Sequence, residues 1–216
     1  MKKLTSESSQ RGGSSRSSQR SGLFMLAVAS LGLIALGCES GGVGDPCIPE
    51  DEYNPSFSSF SSEEVNVESR SFQCETRVCL VNKFQGRVSC PYGSQGQNEN
   101  GDADPTSLCP IPGTSPDSTA LEDKVTAAVT PQQVDRREDD AVYCSCRCAN
   151  AQGGTDDGAN YCECPSGFSC EKLVDDVGLG GTQLAGSYCV REGTNKVGTG
   201  AECNSVQENC PPKYEY

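Results

Sequence analysis

The sequence predicts a small disulfide-rich fold, mostly β with long irregular loops and little helix outside an N-terminal export signal. Its 216 residues include 15 cysteines but only seven Tyr, six Phe and no Trp, so few large side chains are available to fill an apolar core. The β-rich segments are short and are separated by Gly-rich turns. Because each disulfide contributes about 2–4 kcal/mol of stability, we expect several bridges to replace much of the core.

The first 37 residues have the pattern of an export signal. Residues 1–22 carry five basic side chains and one acidic side chain, and residues 23–36 are fourteen residues without a charge. An uncharged stretch of this length is too short for a bilayer-spanning helix, which needs about 20 residues. It fits the apolar region of a signal peptide, which has about 7–15 residues. We therefore predict that residues 1–37 are a signal peptide.

The signal ends at residues 35–38, which read ALGC and resemble the lipobox of bacterial lipoproteins, with the residue types preferred at the first two positions exchanged. In that family the cysteine receives a diacylglycerol thioether, the chain is cleaved before it, and the new amino group is acylated. The resemblance thus implies lipidation of Cys38, and more than one acyl chain makes membrane anchoring stable. Cleavage by the general signal peptidase, with Cys38 unmodified, is the alternative.

Lipidation of Cys38 leaves 14 cysteines, an even number that can form seven bridges. An exported protein meets an oxidising environment in which disulfides persist, and an odd cysteine there invites intermolecular pairing. We therefore predict that every remaining cysteine is disulfide-bonded. The candidates are Cys47, Cys74, Cys79, Cys90, Cys109, Cys144, Cys146, Cys148, Cys162, Cys164, Cys170, Cys189, Cys203 and Cys210.

The cysteine positions divide the mature chain. Residues 38–46 form a lipidated tether, and residues 47–92 form a first cysteine-rich β module with four cysteines. Residues 93–142 are an acidic insert with ten acidic and three basic residues, predicted to be largely disordered. Residues 143–216 form a second cysteine-rich module with nine cysteines. Since nine is odd, full pairing predicts that Cys109 of the insert bonds to the second module, unless the modules exchange partners.

Short strands and one short helix are expected within these segments. In the first module we predict a hairpin in which the turn at residues 84–86 joins two strands, and in the insert a helix of two turns at residues 121–129. The predicted strands are residues 64–72, 77–81, 87–90, 143–147, 168–173 and 186–191.

Three closely spaced cysteines, Cys144, Cys146 and Cys148, form the most unusual segment of the chain. In a strand, residues two apart have Cα atoms about 6.6 Å apart and parallel side chains, which disfavours a bridge between them. We therefore expect three separate disulfide partners. The alternative is a metal-thiolate site or a redox pair, and it defines our second functional hypothesis, a secreted thiol-disulfide or metal-handling protein.

Residues 162–170, which read CECPSGFSC, resemble the closing segment of an EGF-like module. The last loop has five residues here, whereas the family usually has about eight. The resemblance implies a small disulfide-bonded β-turn.

The composition excludes several function classes. The chain has no histidine, which rules out Ser-His-Asp and Cys-His catalysis and histidine-ligated zinc. The net charge of −13 argues against a nucleic-acid partner, because binding phosphates needs clustered Lys and Arg. Adjacent carboxylates in loops give no opposed acid-base geometry. We therefore predict no enzyme activity, no catalytic residues, no metal and no cofactor.

Basic side chains are concentrated in residues 65–92, at Arg70, Arg77, Lys83 and Arg87. They form either a recognition face for a polyanion or another protein, or a simple charge balance against neighbouring glutamates, which we favour.

The whole pattern resembles cysteine-rich surface lipoproteins of Gram-negative bacteria. The resemblance implies location and no activity: export, a membrane anchor through the lipid on Cys38, and the outer membrane rather than the inner one, because Glu39 is not Asp. We expect a non-enzymatic structural or binding component of the cell envelope, with an envelope protein or a glycan as partner.

Overall fold

The computed structural model describes residues 41–96, 101, 104–178 and 183–211; the predicted signal peptide and Cys38 lie outside these residues. The predicted fold class is confirmed, since the described chain consists of small sheets with almost no helix and seven disulfides. No helix in these ranges is both long and apolar enough to cross a membrane. The elements are 3-10 helices at Glu50–Tyr53 and Leu121–Asp123, helix α1 at Glu138–Ala141, and strands β1 Val65–Glu68, β2 Val78–Asn82, β3 Val142–Ser145, β4 Arg147–Ala149, β5 Phe168–Val174 and β6 Gly186–Arg191.

The first sheet is antiparallel with the strand order β1-β2-β3. Its central strand β2 is buried from Cys79 to Asn82, as expected for a strand with neighbours on both sides. The predicted hairpin is wrong, because β2 pairs with β1 and β3 rather than with residues 87–90. Lys83 adopts a positive φ of 52° and turns the chain, and Arg87 then bridges Cys90 in a tight turn.

The second sheet is antiparallel with the strand order β4-β6-β5. Strand β6 has the predicted bounds, and β5 begins at the predicted residue and ends one residue later. The predicted strand at residues 143–147 is divided between β3 in the first sheet and β4 in the second. Cys146 lies between them, and its carbonyl accepts the Cys189 N–H at 3.0 Å.

The apolar interiors of the two sheets differ in composition. The first packs Phe60, Val81 and Phe84 together with four cysteines. The second consists of three buried cysteines, with Phe168 and other partly buried groups packed against them. Disulfide sulfur therefore forms a large part of the apolar cluster at the second sheet.

The insert was predicted to be largely disordered, whereas its described part is packed against the rest of the chain. Val125 and Val129 are buried in a small cluster with Cys90 and Cys109. The predicted two-turn helix is wrong, since only the 3-10 helix Leu121–Asp123 forms there. The chain beyond it is extended, because its backbone bonds other segments: Val125 N–H donates to the Cys109 carbonyl at 2.9 Å, and Val129 pairs with Ser94.

Buried charged side chains hold the irregular loops around the first sheet. The Arg136 guanidinium donates to the backbone carbonyls of Asn82, Lys83 and Asp140. The Arg87 guanidinium donates to the carbonyls of Phe57 and Glu52. Each arginine thus supplies donors to carbonyl groups in loops and near the ends of elements, where a buried carbonyl without a donor is costly.

Glu52 is the buried acid of this network and is fully shielded from solvent. Its carboxylate accepts hydrogen bonds from Val88 N–H at 2.6 Å, Ser89 N–H at 2.9 Å and the Ser89 hydroxyl at 2.6 Å, and lies 3.9 Å from the Arg87 guanidinium. Burial raises the pKa of Glu52 above its ordinary value, while these donors and the Arg87 charge oppose the rise.

Candidate functional site

The fourteen cysteines predicted to form disulfides are all bridged. The pairs are Cys47–Cys79, Cys74–Cys144, Cys90–Cys109, Cys146–Cys162, Cys148–Cys170, Cys164–Cys189 and Cys203–Cys210. So many bridges indicate an oxidising compartment, extracellular or periplasmic.

The expected partner of Cys109 is wrong, since it bonds Cys90 of the first module and not a cysteine of the second. The alternative of exchange between modules is what occurs, because Cys74 bonds Cys144. The physical reason is the pairing of β2 with β3, which brings residue 144 beside residue 79 and within reach of residue 74. The first module therefore does not close internally.

Cys144, Cys146 and Cys148 have three separate partners, as their spacing predicts. The sulfur of Cys189 lies 3.6 Å from that of Cys146 and 3.7 Å from that of Cys162, so two of the bridges are in contact. The sulfurs of Cys146, Cys162 and Cys189 all lie within 4.8 Å of one another, a spacing that suits a metal. Each is bonded to another sulfur, however, and metal binding requires thiolates.

The segment that resembles an EGF-like closing segment forms a turn before β5, in which Phe168 N–H donates to the Pro165 carbonyl at 3.1 Å. Its three cysteines, Cys162, Cys164 and Cys170, bond three different partners outside the segment. The turn is therefore present, but no bridge within the segment closes it.

A groove of about 400 Å³ lies between two segments of the predicted first module, residues 47–92. One wall comes from the 3-10 helix and the residues before it, the other from the end of β1 and the loop after it. The lining includes two aromatic rings, a guanidinium and two carboxylates. The lining residues are Ile48, Glu50, Tyr53, Glu68, Arg70, Ser71, Phe72 and Gln73.

Hydrogen bonds join the two walls at the base of the groove. The Gln73 side chain accepts a hydrogen bond from Ile48 N–H at 3.0 Å and donates one to the Ile48 carbonyl at 2.8 Å. The Glu68 carboxylate accepts the Glu50 N–H at 3.0 Å. These three bonds fix the distance between the walls.

Two disulfides fasten the walls to the first sheet. Cys47 precedes the first wall and bonds Cys79 in β2, whereas Cys74 follows the second wall and bonds Cys144 in β3. Both anchors reach adjacent strands of one sheet, so each wall is fastened covalently to it. A preorganised site of this kind loses little conformational entropy when a ligand binds.

Charge and ring contacts set the chemistry of the groove. The pKa of Glu68 is raised by burial and by the charges of Glu50 and Asp51, although its hydrogen bond from Glu50 N–H opposes the rise. The Arg77 guanidinium lies 4.6 Å from the centre of the Phe72 ring and supports it from one side. The groove thus offers acceptors, donors and aromatic surface together.

The four basic side chains of residues 65–92 do not form one basic face. Arg70 and Arg77 are exposed, Lys83 is half-buried, and Arg87 is fully buried against Glu52. Charge balance is thus realised for Arg87, but with Glu52 rather than with the neighbouring glutamates at positions 63, 64, 68 and 75.

The groove was missed by sequence reasoning, which drew attention to residues 65–92 only for their basic charge. Phe72, an aromatic residue two positions before Cys74, was the available signal, and it was assigned to a strand. Comparisons with protein-family models, with curated proteins and with solved structures find no match to this chain.

Proposed function

We propose that the chain is an exported, lipid-anchored protein of the cell envelope in which a disulfide-bonded head presents a binding groove. The observation that supports the anchor is the cysteine pairing. Fourteen of the 15 cysteines are in bridges, which leaves Cys38 alone for lipid. Glu39 favours delivery to the outer membrane.

The groove favours a binding role over a purely structural one. Its walls are fixed by two bridges, while Tyr53 and Phe72 remain exposed at 46% and 82%. Exposed aromatic rings in a fixed concave site are typical of binding sites, where they bury apolar surface at low entropic cost.

Mass spectrometry of the protein from membranes of a Gram-negative expression host tests the anchor. We expect a mature N-terminus at Cys38 that carries three acyl chains. In Cys38→Ser the lipid should be lost and the protein should no longer sediment with membranes. Cys210→Ser is the matched control, since it removes a bridging cysteine and should keep the lipid. An unmodified Cys38 at the N-terminus would contradict the proposal.

Thiol counting separates the binding role from the thiol-disulfide alternative. Alkylation of the unreduced, denatured Cys38→Ser protein should label no cysteine, because all fourteen are bridged. Labelling of two or three cysteines at positions 144, 146 and 148 would favour the redox or metal-handling protein instead.

A further inference from the structure

The mouth of the groove carries one aromatic ring on each wall. Tyr53 ends the 3-10 helix of the first wall, and Phe72 lies in the loop of the second. The Phe72 ring leaves a large apolar surface in water, and covering that surface with a ligand is favourable. The two rings thus provide flat apolar surface for a ligand with a flat apolar face.

Ser71, next to Phe72, provides an independent sign of a missing ligand. The residue is 2% exposed and lines the groove, and its backbone N–H is bonded to the Arg77 carbonyl. Its hydroxyl, in contrast, has no hydrogen-bond partner. A buried hydroxyl normally finds a partner, because leaving one unpaired costs free energy. The hydroxyl itself is enclosed, so a ligand hydroxyl pairs with it only when the Ser71 side chain turns toward the groove.

The charges of the lining narrow the ligand class. Glu50 and Glu68 repel an anion from the groove, whereas Arg70 repels a cation. An uncharged ligand rich in hydroxyl groups meets neither penalty, since its hydroxyls donate to carboxylates and accept from a guanidinium. Such charge-assisted hydrogen bonds are about twice as strong as neutral ones.

We propose that this groove binds an uncharged oligosaccharide. Sugar hydroxyls donate to the carboxylates of Glu50 and Glu68 and accept from Arg70 and Ser71, while the C–H faces of the sugar rings lie on Tyr53 and Phe72. The volume of about 400 Å³ is within the range of small-molecule sites, and the exposed rings allow a longer glycan to continue beyond the groove. The inference deepens the binding role proposed above and does not depend on the anchor.

Isothermal titration calorimetry with four uncharged tetrasaccharides tests the proposal: β-1,4-linked glucose, α-1,4-linked glucose, β-1,4-linked N-acetylglucosamine and α-1,6-linked mannose. The exported protein and its Cys38→Ser variant are titrated in parallel, so that failure of the anchor is distinguished from failure of the groove. We expect at least one sugar to bind both proteins with a Kd between roughly 10 µM and 1 mM.

Variants of the lining give the decisive comparison. Phe72→Ala should weaken binding about tenfold, because it removes the stacking surface. Ser71→Ala should weaken binding several-fold and leave the unfolding temperature equal or higher, because it also removes an unpaired buried hydroxyl. A purely structural role of Ser71 would not separate affinity from stability in this way. Val206→Ala, at an apolar side chain 92% exposed elsewhere, is the control and should bind normally.

Two outcomes would overturn the proposal. The first is that no tetrasaccharide binds at concentrations on the order of millimolar, the limit for weak specific sites. The second is that Phe72→Ala binds a sugar as well as Val206→Ala does, which would place the site elsewhere. If no sugar binds and a lysine-rich peptide does, the proposal is likewise overturned, because the carboxylates of the groove then select a cation.

Discussion

Two regions of the molecule have the same number of disulfides and different interiors. The first region, residues 47–145, contains the first sheet and three bridges across 99 residues. The second region, residues 146–191, contains the second sheet and three bridges across 46 residues. In the first, buried arginines, Glu52 and Gln132 bond the loops from inside, whereas in the second three buried cysteines form a cluster beside buried Tyr188 and Val190.

The difference shows two solutions to a shortage of apolar residues. Where long loops must be buried, charged and amide side chains pair with their carbonyl groups, as Gln132 does when its amide donates to the Arg87 carbonyl at 2.8 Å. Where the chain is short and Gly-rich, covalent bridges restrict the unfolded state instead. The first region should therefore be sensitive to loss of a buried charge, and the second to loss of a bridge.

The largest effect is expected for Arg87→Met. It leaves the Glu52 carboxylate buried without its counter-charge and two carbonyls without donors, so the free energy of unfolding should fall by about 3–5 kcal/mol. Urea denaturation followed by circular dichroism measures the change. The double variant Glu52→Gln, Arg87→Met is the control and should recover part of the loss, since no charge is then left unpaired. A loss below about 1 kcal/mol for Arg87→Met would show that this network does not stabilise the first region.

The next largest effect is expected when the central bridge of the second region is removed by Cys164→Ala with Cys189→Ala. The bridge closes a 25-residue separation, and the chain-entropy model gives a loss of about 3 kcal/mol. Hydrogen exchange should show lost protection in β4, β5 and β6 and retained protection in β1 and β2. Equal loss in both sheets would mean that the two regions unfold as one unit.

The matched control for that variant is Cys203→Ala with Cys210→Ala. This bridge closes a separation of only seven residues outside both regions, so the same model gives a smaller loss, about 2 kcal/mol. Exchange protection in the second sheet should be unchanged. The reverse order of the two losses would contradict the chain-entropy explanation.

A smaller effect is expected for Arg191→Lys at the contact of the two regions. The Arg191 guanidinium lies 5.0 Å from the Phe168 ring centre in the second region and 5.5 Å from the Tyr143 ring centre in the first. Lysine keeps the charge and loses the planar stacking, so we expect a loss of about 1 kcal/mol in thermal or urea unfolding. Arg77→Lys at the exposed Phe72 ring is the control, and a loss as large there would refute a special role of the contact.

The smallest expected effect is the pH dependence of stability that comes from two carboxyl groups, Glu52 in the first region and Asp157 in the second. Burial raises the pKa of Glu52, whereas the pKa of exposed Asp157 is lowered by hydrogen bonds from the Tyr161 hydroxyl, Ala159 N–H and Asn150. The contribution of Glu52 to stability therefore falls as the pH rises from the pKa that Glu52 has in the unfolded chain to the higher pKa that it has in the folded protein. That of Asp157 is present above its unfolded pKa and is lost as the pH falls through its folded pKa. Carbon-13 NMR titration of the side-chain carboxyls should show shifts of opposite sign, and the same sign for both would contradict the stated causes.

The strands were the most predictable part of the fold because their signals are local. Strand β6 was predicted with its bounds, since β-rich residues lie there between Gly-rich segments, and β5 differs by one residue. The absence of a hairpin between β2 and residues 87–90 was not predictable in the same way. The apparent partner strand contains Arg87, and the contacts of Arg87 with Glu52 and Phe57, thirty or more residues away, decide its place.

The pairing of the cysteines and the groove depend on distant parts of the chain. That all fourteen cysteines pair followed from their number, but Cys74 finds Cys144 only because β2 and β3 are neighbours. The groove in turn needs residues 48–53 and 68–73 side by side, which two bridges and the Gln73 side chain bring about. None of these contacts leaves a pattern in the local sequence.

The bridge Cys74–Cys144 also imposes an order of events on a chain that emerges from its N-terminus. Cys47 and Cys79 can meet early, whereas Cys74 must wait for 70 further residues before its partner exists. Ribosomes add about 5–20 residues per second, so when export accompanies synthesis that interval lasts roughly 4–14 seconds. During it the reactive thiol of Cys74 lies five residues from Cys79 and beside an unfinished groove. Correct maturation therefore favours a cell compartment that isomerises wrong bridges as well as one that forms them.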